Sequence, residues 1–398
     1  MHATQILNTV IYKQCQNIHK TRWKALMALV GSCIEGKKLS VTGLGRAILN
    51  TVYEKHNIKR ADRLIGNAHL HKERTWIHAA LARKVIGQKR TPVILVDWSP
   101  LSADGTFHLL RASLPIGGRA LTIHDEVHSE KRLHNRKVEK QFLMHLKEIL
   151  VTTCQPIIVT DSGYRSPWFH AVLSMGWNFV GRVGGRTLVR SHEKSDWVRT
   201  EKIMETAKQR ARYYGLIDLV KRSPVVCHAY LMKKAPQGRH KKTVYGQPCQ
   251  SKHSKNNAQR ERGPWFIVTS LEGGAAMTKP VMNLYKTRMQ IEQGFRDIKN
   301  TRWGFSLEEA KVTMICRYEN LLLVGTLATF AAWLVGQIAV QKDIHRRYQA
   351  NTIKTSTVLS TFYLGCRVIK KQAGEFKLDD YKQALIALQE NFEAQCFA

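Results

Sequence analysis

Residues 321–340 read LLLVGTLATFAAWLVGQIAV, twenty positions without a charge. A stretch of that length either spans a bilayer or becomes a helix buried on every side in a domain large enough to wrap it. Gly325, Thr326, Thr329, Gly336 and Gln337 dilute it, it stands alone, and a strongly polar segment precedes it. These features favour the buried helix over a single membrane anchor. Such a helix needs several layers of partner chain, which 398 residues can supply.

The charge balance points to a partner. Lys and Arg number 63 against 30 Asp and Glu, a formal charge of +33, while 43% hydrophobic residues still support ordinary packing. A chain this basic calls for a polyanion. Nucleic acid leads, because neutralising phosphates releases counterions and supplies sequence-independent affinity; an anionic membrane surface is the rival. The eight Cys include no C-x-x-C pair, and the opening MHATQILNTV lacks the charged start and apolar run of a signal peptide. A reduced, cytosolic protein is therefore expected. Cys227, His228, Cys249 and His253 match no zinc finger or ribbon spacing.

Periodicity then divides the chain. Residues 1–85 read as helical, and within them HNIKRADRLIGN puts Lys59, Arg60 and Arg63 on one helix face, suited to DNA recognition or simply to solvation. Short apolar runs follow at 92–96, 107–112 and 121–124, then an amphipathic helix near 138–150 and another run at 156–160. That order suggests a mixed sheet covered by helices. A helix around 167–175 leads to the strand-like WNFVGRV. Residues 186–262 carry shorter, broken runs, and 233–262 are dense in Lys and Arg, which reads as a β-rich insertion with a basic, mobile loop or as a surface excursion. After a strand at 265–270, a long helix is expected over 279–300.

Two of the apolar runs end alike, PVILVDWS in Asp97 and PIIVTDSGY in Asp161. An Asp at a strand end is a turn or cap residue in one reading and a ligand in another, since open α/β sheets bind at their carboxyl edges. The third element is NLYKTRMQIEQGFRDIKN. As a single helix it would gather Tyr285, Arg288, Glu292, Arg296 and Lys299 within a stripe of about 80°, with Leu284, Ile291, Phe295 and Ile298 alongside. Glu292 could merely bridge Arg288 or Arg296 four residues away. With the two aspartates, however, three carboxylates can hold two hard cations, and such a pair drives in-line displacement at phosphorus.

Asp97, Asp161 and Glu292, with Tyr285-x2-Arg288-x3-Glu292-x6-Lys299, resemble the DDE triad and YREK signature of cut-and-paste insertion-sequence transposases, the insertion-sequence-four family. The likeness extends over KHNIKRADRLIGNAHLHKER, GWNFVGRVGG and RMQIEQGFRDIK. It implies an α/β fold, a ribonuclease-H-like mixed sheet with flanking helices interrupted by a β-rich insertion, plus helical N- and C-terminal regions. The implied organisation is a DNA-binding domain over 1–85, a catalytic domain over 86–185 and 263–345, the insertion over 186–262, and a C-terminal region over 346–398 that serves dimerisation.

The resemblance further implies a transposase that nicks one strand at the element's end, forms and reopens a hairpin, and joins the 3′-hydroxyl to target DNA. Asp97, Asp161 and Glu292 would be both catalytic residues and ligands of two Mg²⁺ ions, with Mn²⁺ able to substitute. Tyr285, Arg288, Lys299 and Arg182 would contact phosphates near the element's end, and Trp265 would hold a flipped base. Met289 stands where some relatives carry an aromatic residue. The implied partners are terminal inverted repeats, target DNA and a second copy of the chain, in the bacterial cytoplasm at the nucleoid, with no membrane. Trp98 is expected to pack, and His124, His128 and His170 are not needed as bases because paired metals activate water without one. The alternatives are a two-metal nuclease that cuts without joining and an inert DNA-binding protein derived from a transposase.

Overall fold

The computed structural model describes residues 3–396 apart from 103, 236–241 and 244. It comprises two compact units, Met1–Cys154 with Met289–Ala398, and Gln155–Arg288.

The first unit opens with helices α1 (Ala3–Val10), α2 (Lys20–Gly36), α3 (Val41–Arg46), α4 (Glu54–Ile65) and α5 (Ala68–Ile86). Local chemistry sets their ends. The Ser40 and Asn67 side chains accept from the backbone N–H groups of Gly43 and Leu70, capping α3 and α5, and α2 stops where Lys37 turns left-handed at φ 52°. On α4, Ala61, Leu64 and Ile65 are buried while Lys59, Arg60 and Arg63 face solvent.

Antiparallel strands β1 (Val93–Pro100), β2 (Phe107–Pro115) and β3 (Ala120–Ser129) follow in the order β3-β2-β1, and then α6 (Arg136–Ile149). The register sets Asp97 opposite Arg111 and Arg111 opposite Asp125, so these three side chains share a face. Their neighbours His124 and Glu126 point to the other. β3 is an edge strand, and side chains take the place of a strand partner. Arg74 of α5 donates to the Asp125 carbonyl at 2.7 Å, and Glu319 Oε1 accepts from the Val127 N–H at 3.0 Å. Arg74 and Glu319 bond each other at 2.6 Å, closing a buried frame.

The second unit contains β4 (Ile157–Thr160), α7 (Ser166–Ser174), β5 (Asn178–Arg182), β6 (Leu188–Ser191), β7 (Val198–Arg199), α8 (Thr200–Glu205), β8 (Arg212–Leu219), β9 (Val225–Met232), α9 (Lys252–Arg262), β10 (Trp265–Thr269) and α10 (Thr278–Thr287). Its strands run in the order β4-β5-β10-β9-β8-β6-β7. β4 and β5 are parallel and the other pairings antiparallel, so the sheet is mixed. Gly181 lets α7 close on β5, for a Cβ there would meet the Phe169 ring at 2.8 Å.

One feature of this unit differs from expectation. The end of the basic stretch is not a loop but helix α9, made of helix-favouring Lys, Gln, Arg and Glu without an apolar stripe, and started by Ser251 Oγ accepting from the Ser254 N–H at 3.2 Å. The loop expected ahead of it falls partly on 236–241 and 244, outside the described residues. Cys227 and His228 are consecutive on β9, so they point to opposite faces, and the His253 side chain lies outside the described residues.

The chain returns to the first unit with α11 (Met289–Lys299), α12 (Ile315–Gln341), α13 (Thr361–Lys370) and α14 (Leu378–Glu393). The single helix expected over 279–300 is interrupted at Arg288. There Thr287 Oγ1 donates back to the Leu284 carbonyl at 2.6 Å, and the Arg288 N–H bonds only three residues back, to Tyr285, at 3.2 Å. Such competition for helix carbonyls bends or ends a helix.

The uncharged segment lies within α12. This helix is long and apolar enough to cross a membrane, yet every residue from Tyr318 to Ala339 is buried in the unit except Thr329 and Gln337. Helices α1, α2, α4, α5, α13 and α14 and strand β3 surround it. Its glycines have a packing role: a Cβ on Gly336 would lie 1.8 Å from the Thr361 carbonyl oxygen, and one on Gly365 would lie 1.7 Å from that of Ala332. α12 and α13 therefore touch backbone to backbone. The α/β class with a mixed sheet and flanking helices agrees with expectation.

Candidate active site

In the first unit the site is built on β1 and α11, which pack together. The first five residues of β1 are buried, and Asp97 closes that run, 8% exposed, where Oδ1 accepts from the Trp98 N–H at 2.9 Å. Glu292 lies in the first turn of α11, where a carboxylate is favoured by the helix dipole, and it is half-buried. Ile291, Phe295 and Ile298 hold the helix against the sheet. At the end of α11, Lys299 Nζ donates to Ser99 Oγ at 2.7 Å and also bonds the Pro100 carbonyl. Burial pushes Lys299 down to about 8, and the Arg111 charge acts in the same direction, against the pull of Glu308 and Asp97.

Arg111 is the residue here that sequence reasoning missed. It is 1% exposed, sits opposite Asp97 in the register, donates to Asp125 Oδ2 at 3.3 Å, and has its guanidinium carbon 5.4 Å from the Phe295 ring centre. A lone Arg inside the apolar run 107–112 was the available signal. It places a buried cation between Asp97 and Asp125 on that face of the sheet.

In the second unit Asp161 follows β4 directly, and its Oδ1 accepts from the Gly163 N–H at 2.7 Å, so it closes the turn as a capping aspartate does. Arg182 ends β5 and donates to the Pro264 carbonyl at 3.2 Å. Tyr285, on α10, is buried; burial raises its phenol above the ordinary value and Asp161 adds to this, while Arg288 and Arg182 oppose it. Asp161, Arg182, Tyr285 and Arg288 are thus within electrostatic reach of the same phenol. Trp265, at the start of β10, meets the Tyr285 ring edge-on at 4.9 Å, and Lys234 Nζ lies 4.7 Å from the indole centre. Lys234 was not anticipated.

Of the residues singled out from sequence, Asp97, Glu292 and Lys299 belong to the first unit, and Asp161, Arg182, Trp265, Tyr285 and Arg288 to the second. Lys59, Arg60 and Arg63 stand on α4 of the first unit. Trp98 packs as expected, against the His128 and His134 rings, with Nε1 donating to Glu139 at 3.2 Å.

Residues 88–309, more than half of the chain, match the protein family described as the transposase DDE domain. The match begins ahead of β1 and ends beyond α11, so it contains all three carboxylates. Among curated proteins, none matches the chain.

Proposed function

The chain belongs to the transposase DDE domain family, and on that premise we propose that it binds the terminal inverted repeats of an insertion sequence, excises the element by nicking and hairpin formation, and joins the freed 3′-hydroxyl ends to target DNA. The observation that carries this reading is the pairing of acid with base in each unit. Asp97 and Glu292 stand on packed elements beside Arg111 and Lys299, and Asp161 stands beside Arg182, Tyr285 and Arg288. Phosphoryl transfer needs that combination, since phosphates require cationic side chains and hard cations require carboxylates.

Enzymes of this family cleave and transfer DNA and generally use divalent metals. The donor set here, three carboxylates without sulfur or imidazole, fits two Mg²⁺ ions, with Mn²⁺ able to substitute, and Asp97, Asp161 and Glu292 would hold them. When bound, such a pair supplies Lewis-acid activation of the attacking oxygen and stabilisation of the leaving one. The protein's own residues do the positioning. Tyr285, Arg288, Lys299 and Arg182 contact phosphates near the element's end, and Trp265 stacks on a flipped base. In this reading residues 1–85 grip the end through Lys59, Arg60 and Arg63, residues 346–398 join two copies, and the YREK pattern of the insertion-sequence-four family is functional.

The test is incubation with DNA bearing the element's own ends plus Mg²⁺ or Mn²⁺, resolving nicks, hairpins and joined products on a denaturing gel. Asp97→Ala, Asp161→Ala and Glu292→Ala should each lower cleavage and joining on the order of a thousandfold or more while sparing end binding. Loss of end binding instead would make these residues structural. Cleavage without joining of precut ends would make the protein a nuclease.

A further inference from the structure

On the sheet face opposite Asp97, three imidazoles surround one carboxylate. His124, Glu126 and His128 are alternate residues of β3 and therefore share that face, and α6, packed on β3, brings in His145. Glu126 Oε1 lies 3.0 Å from His124 Nε2 and 2.7 Å from His145 Nδ1, and the three ligand atoms lie within 4.8 Å of one another. We propose that His124, Glu126 and His145 bind one divalent transition-metal ion of the zinc class, separate from the ions of the catalytic carboxylates.

The geometry asks little of the protein. Around a tetrahedral zinc, ligands about 2.0–2.1 Å from the metal are about 3.3 Å from one another. The two Glu126 contacts, at 3.0 and 2.7 Å, reach that spacing by opening about 0.3 and 0.6 Å. The ligands stand on a strand and a helix rather than on loops, which holds the site together. Two imidazoles and a carboxylate suit zinc, cobalt or nickel, whereas magnesium prefers oxygen and water.

A second layer of contacts is also in place. His128 Nε2 lies 3.0 Å from Glu126 Oε2, fixing the oxygen that the ion does not use. The Gln141 side-chain amide lies 2.8 Å from His145 Nε2 and, by presenting either of its ends, orients that ring with Nδ1 toward Glu126. Buried in the unit, His124 has an Nδ1 without a hydrogen-bond partner among the described residues, while Nε2 faces Glu126.

Bound there, the ion would clamp α6 to the edge strand from the side that Arg74 and Glu319 do not reach. Charge alone gives no reason to gather three histidines in a chain of net charge +33.

The experiment uses the full chain, stripped with a chelator and titrated with Co²⁺ in excess Mg²⁺ without DNA, following visible d–d absorption. One equivalent should give an intense band that Zn²⁺ abolishes. His145→Ala removes a side chain that is 40% exposed and should weaken Co²⁺ binding more than about tenfold, while His128→Ala should weaken it less and Asp97→Ala not at all. Glu126→Gln, nearly isosteric, gives an independent ligand variant, and circular dichroism verifies that each variant is folded. No band in the parent chain overturns the proposal. So does a band unchanged in both His145→Ala and Glu126→Gln, or one lost in Asp97→Ala.

Discussion

Lys299 donates from Nζ to the Ser99 hydroxyl at 2.7 Å, and Ser99 stands two residues beyond Asp97 on the same face of β1. The ammonium is thus tied to the strand that carries the first carboxylate. Because burial brings Lys299 down to about 8, it holds its charge at neutral pH and loses it in mildly alkaline solution. End binding measured by fluorescence anisotropy in chelator should weaken as pH rises through about 8, and Lys299→Met should flatten that dependence. Folding stability should move the other way. The folded value lies below the ordinary 10.5, so the unfolded chain holds more protons between those limits and the stability of the DNA-free protein rises over that window. An unaltered pH profile in Lys299→Met would remove the lysine from the interface.

The exposed bases of α4 make a separate prediction, readable in salt. If about eight phosphates are neutralised in all, log affinity for the element's end should fall with log salt at a slope near −7. Replacing Lys59, Arg60 and Arg63 together by Ala should make the slope shallower by about 2 to 3, because each phosphate contact contributes about 0.9. Their side chains face solvent, so the melting temperature should barely change. An unchanged slope would mean that α4 only solvates the fold.

Trp265 presents a ring face that Lys234 overlies at 4.7 Å, so in the proposed reaction a flipped base would compete with the ammonium for one surface. Stacking of a base on an aromatic ring is worth about 1–3 kcal/mol. Trp265→Ala should therefore slow hairpin formation by roughly ten- to a hundredfold more than the first nick. Lys234→Ala, which uncovers the ring, should leave nicking intact and not slow the hairpin step. Time courses on denaturing gels separate the steps, and equal losses at both would assign Trp265 to the core.

Glu319 closes the frame over the edge strand, bonding Arg74 and the Val127 N–H. Glu319→Ala leaves the buried Arg74 guanidinium with Asp125 alone and the Val127 N–H without its acceptor, and should cost up to about 3–5 kcal/mol in urea denaturation, with Glu319→Gln intermediate. Burial opposes the charge of Glu319, but the His71 hydrogen bond, the Arg74 charge and the Val127 N–H outweigh it and hold the carboxyl below the usual 4.5. Its contribution is therefore present above that value and is lost as pH falls through the lower folded one. A wild-type acid unfolding profile in Glu319→Gln would show that the network contributes nothing through this group.

Where one local pattern decides the structure, the sequence was readable. The apolar runs ending in Asp97 and Asp161 became β1 and β4, the uncharged segment became buried α12, and the apolar face of α11 holds Glu292 beside the sheet. Where the outcome depends on partners distant in the chain, the pattern was silent. Arg111 looked like an interruption in a strand because Asp97 and Asp125 become its neighbours only through the strand register. Arg74 and Glu319 are 245 residues apart, and no period links them. The three histidines around Glu126 were visible as single residues, but their convergence needs α6 packed on β3. The break at Arg288 escaped for a different reason, since a threonine hydroxyl bonding backward leaves helical periodicity intact on either side.

The first unit is assembled from two stretches of chain with the whole second unit between them, and this imposes an order on its synthesis. When β3 leaves the ribosome, the glutamate that will cap its open edge is still 192 residues from being added after Val127. The nascent product must wait with an unsealed strand and no central helix for its apolar side chains to close around. A message cut short anywhere before α12 would leave β3 without Glu319 at its edge and the unit without the helix around which it packs.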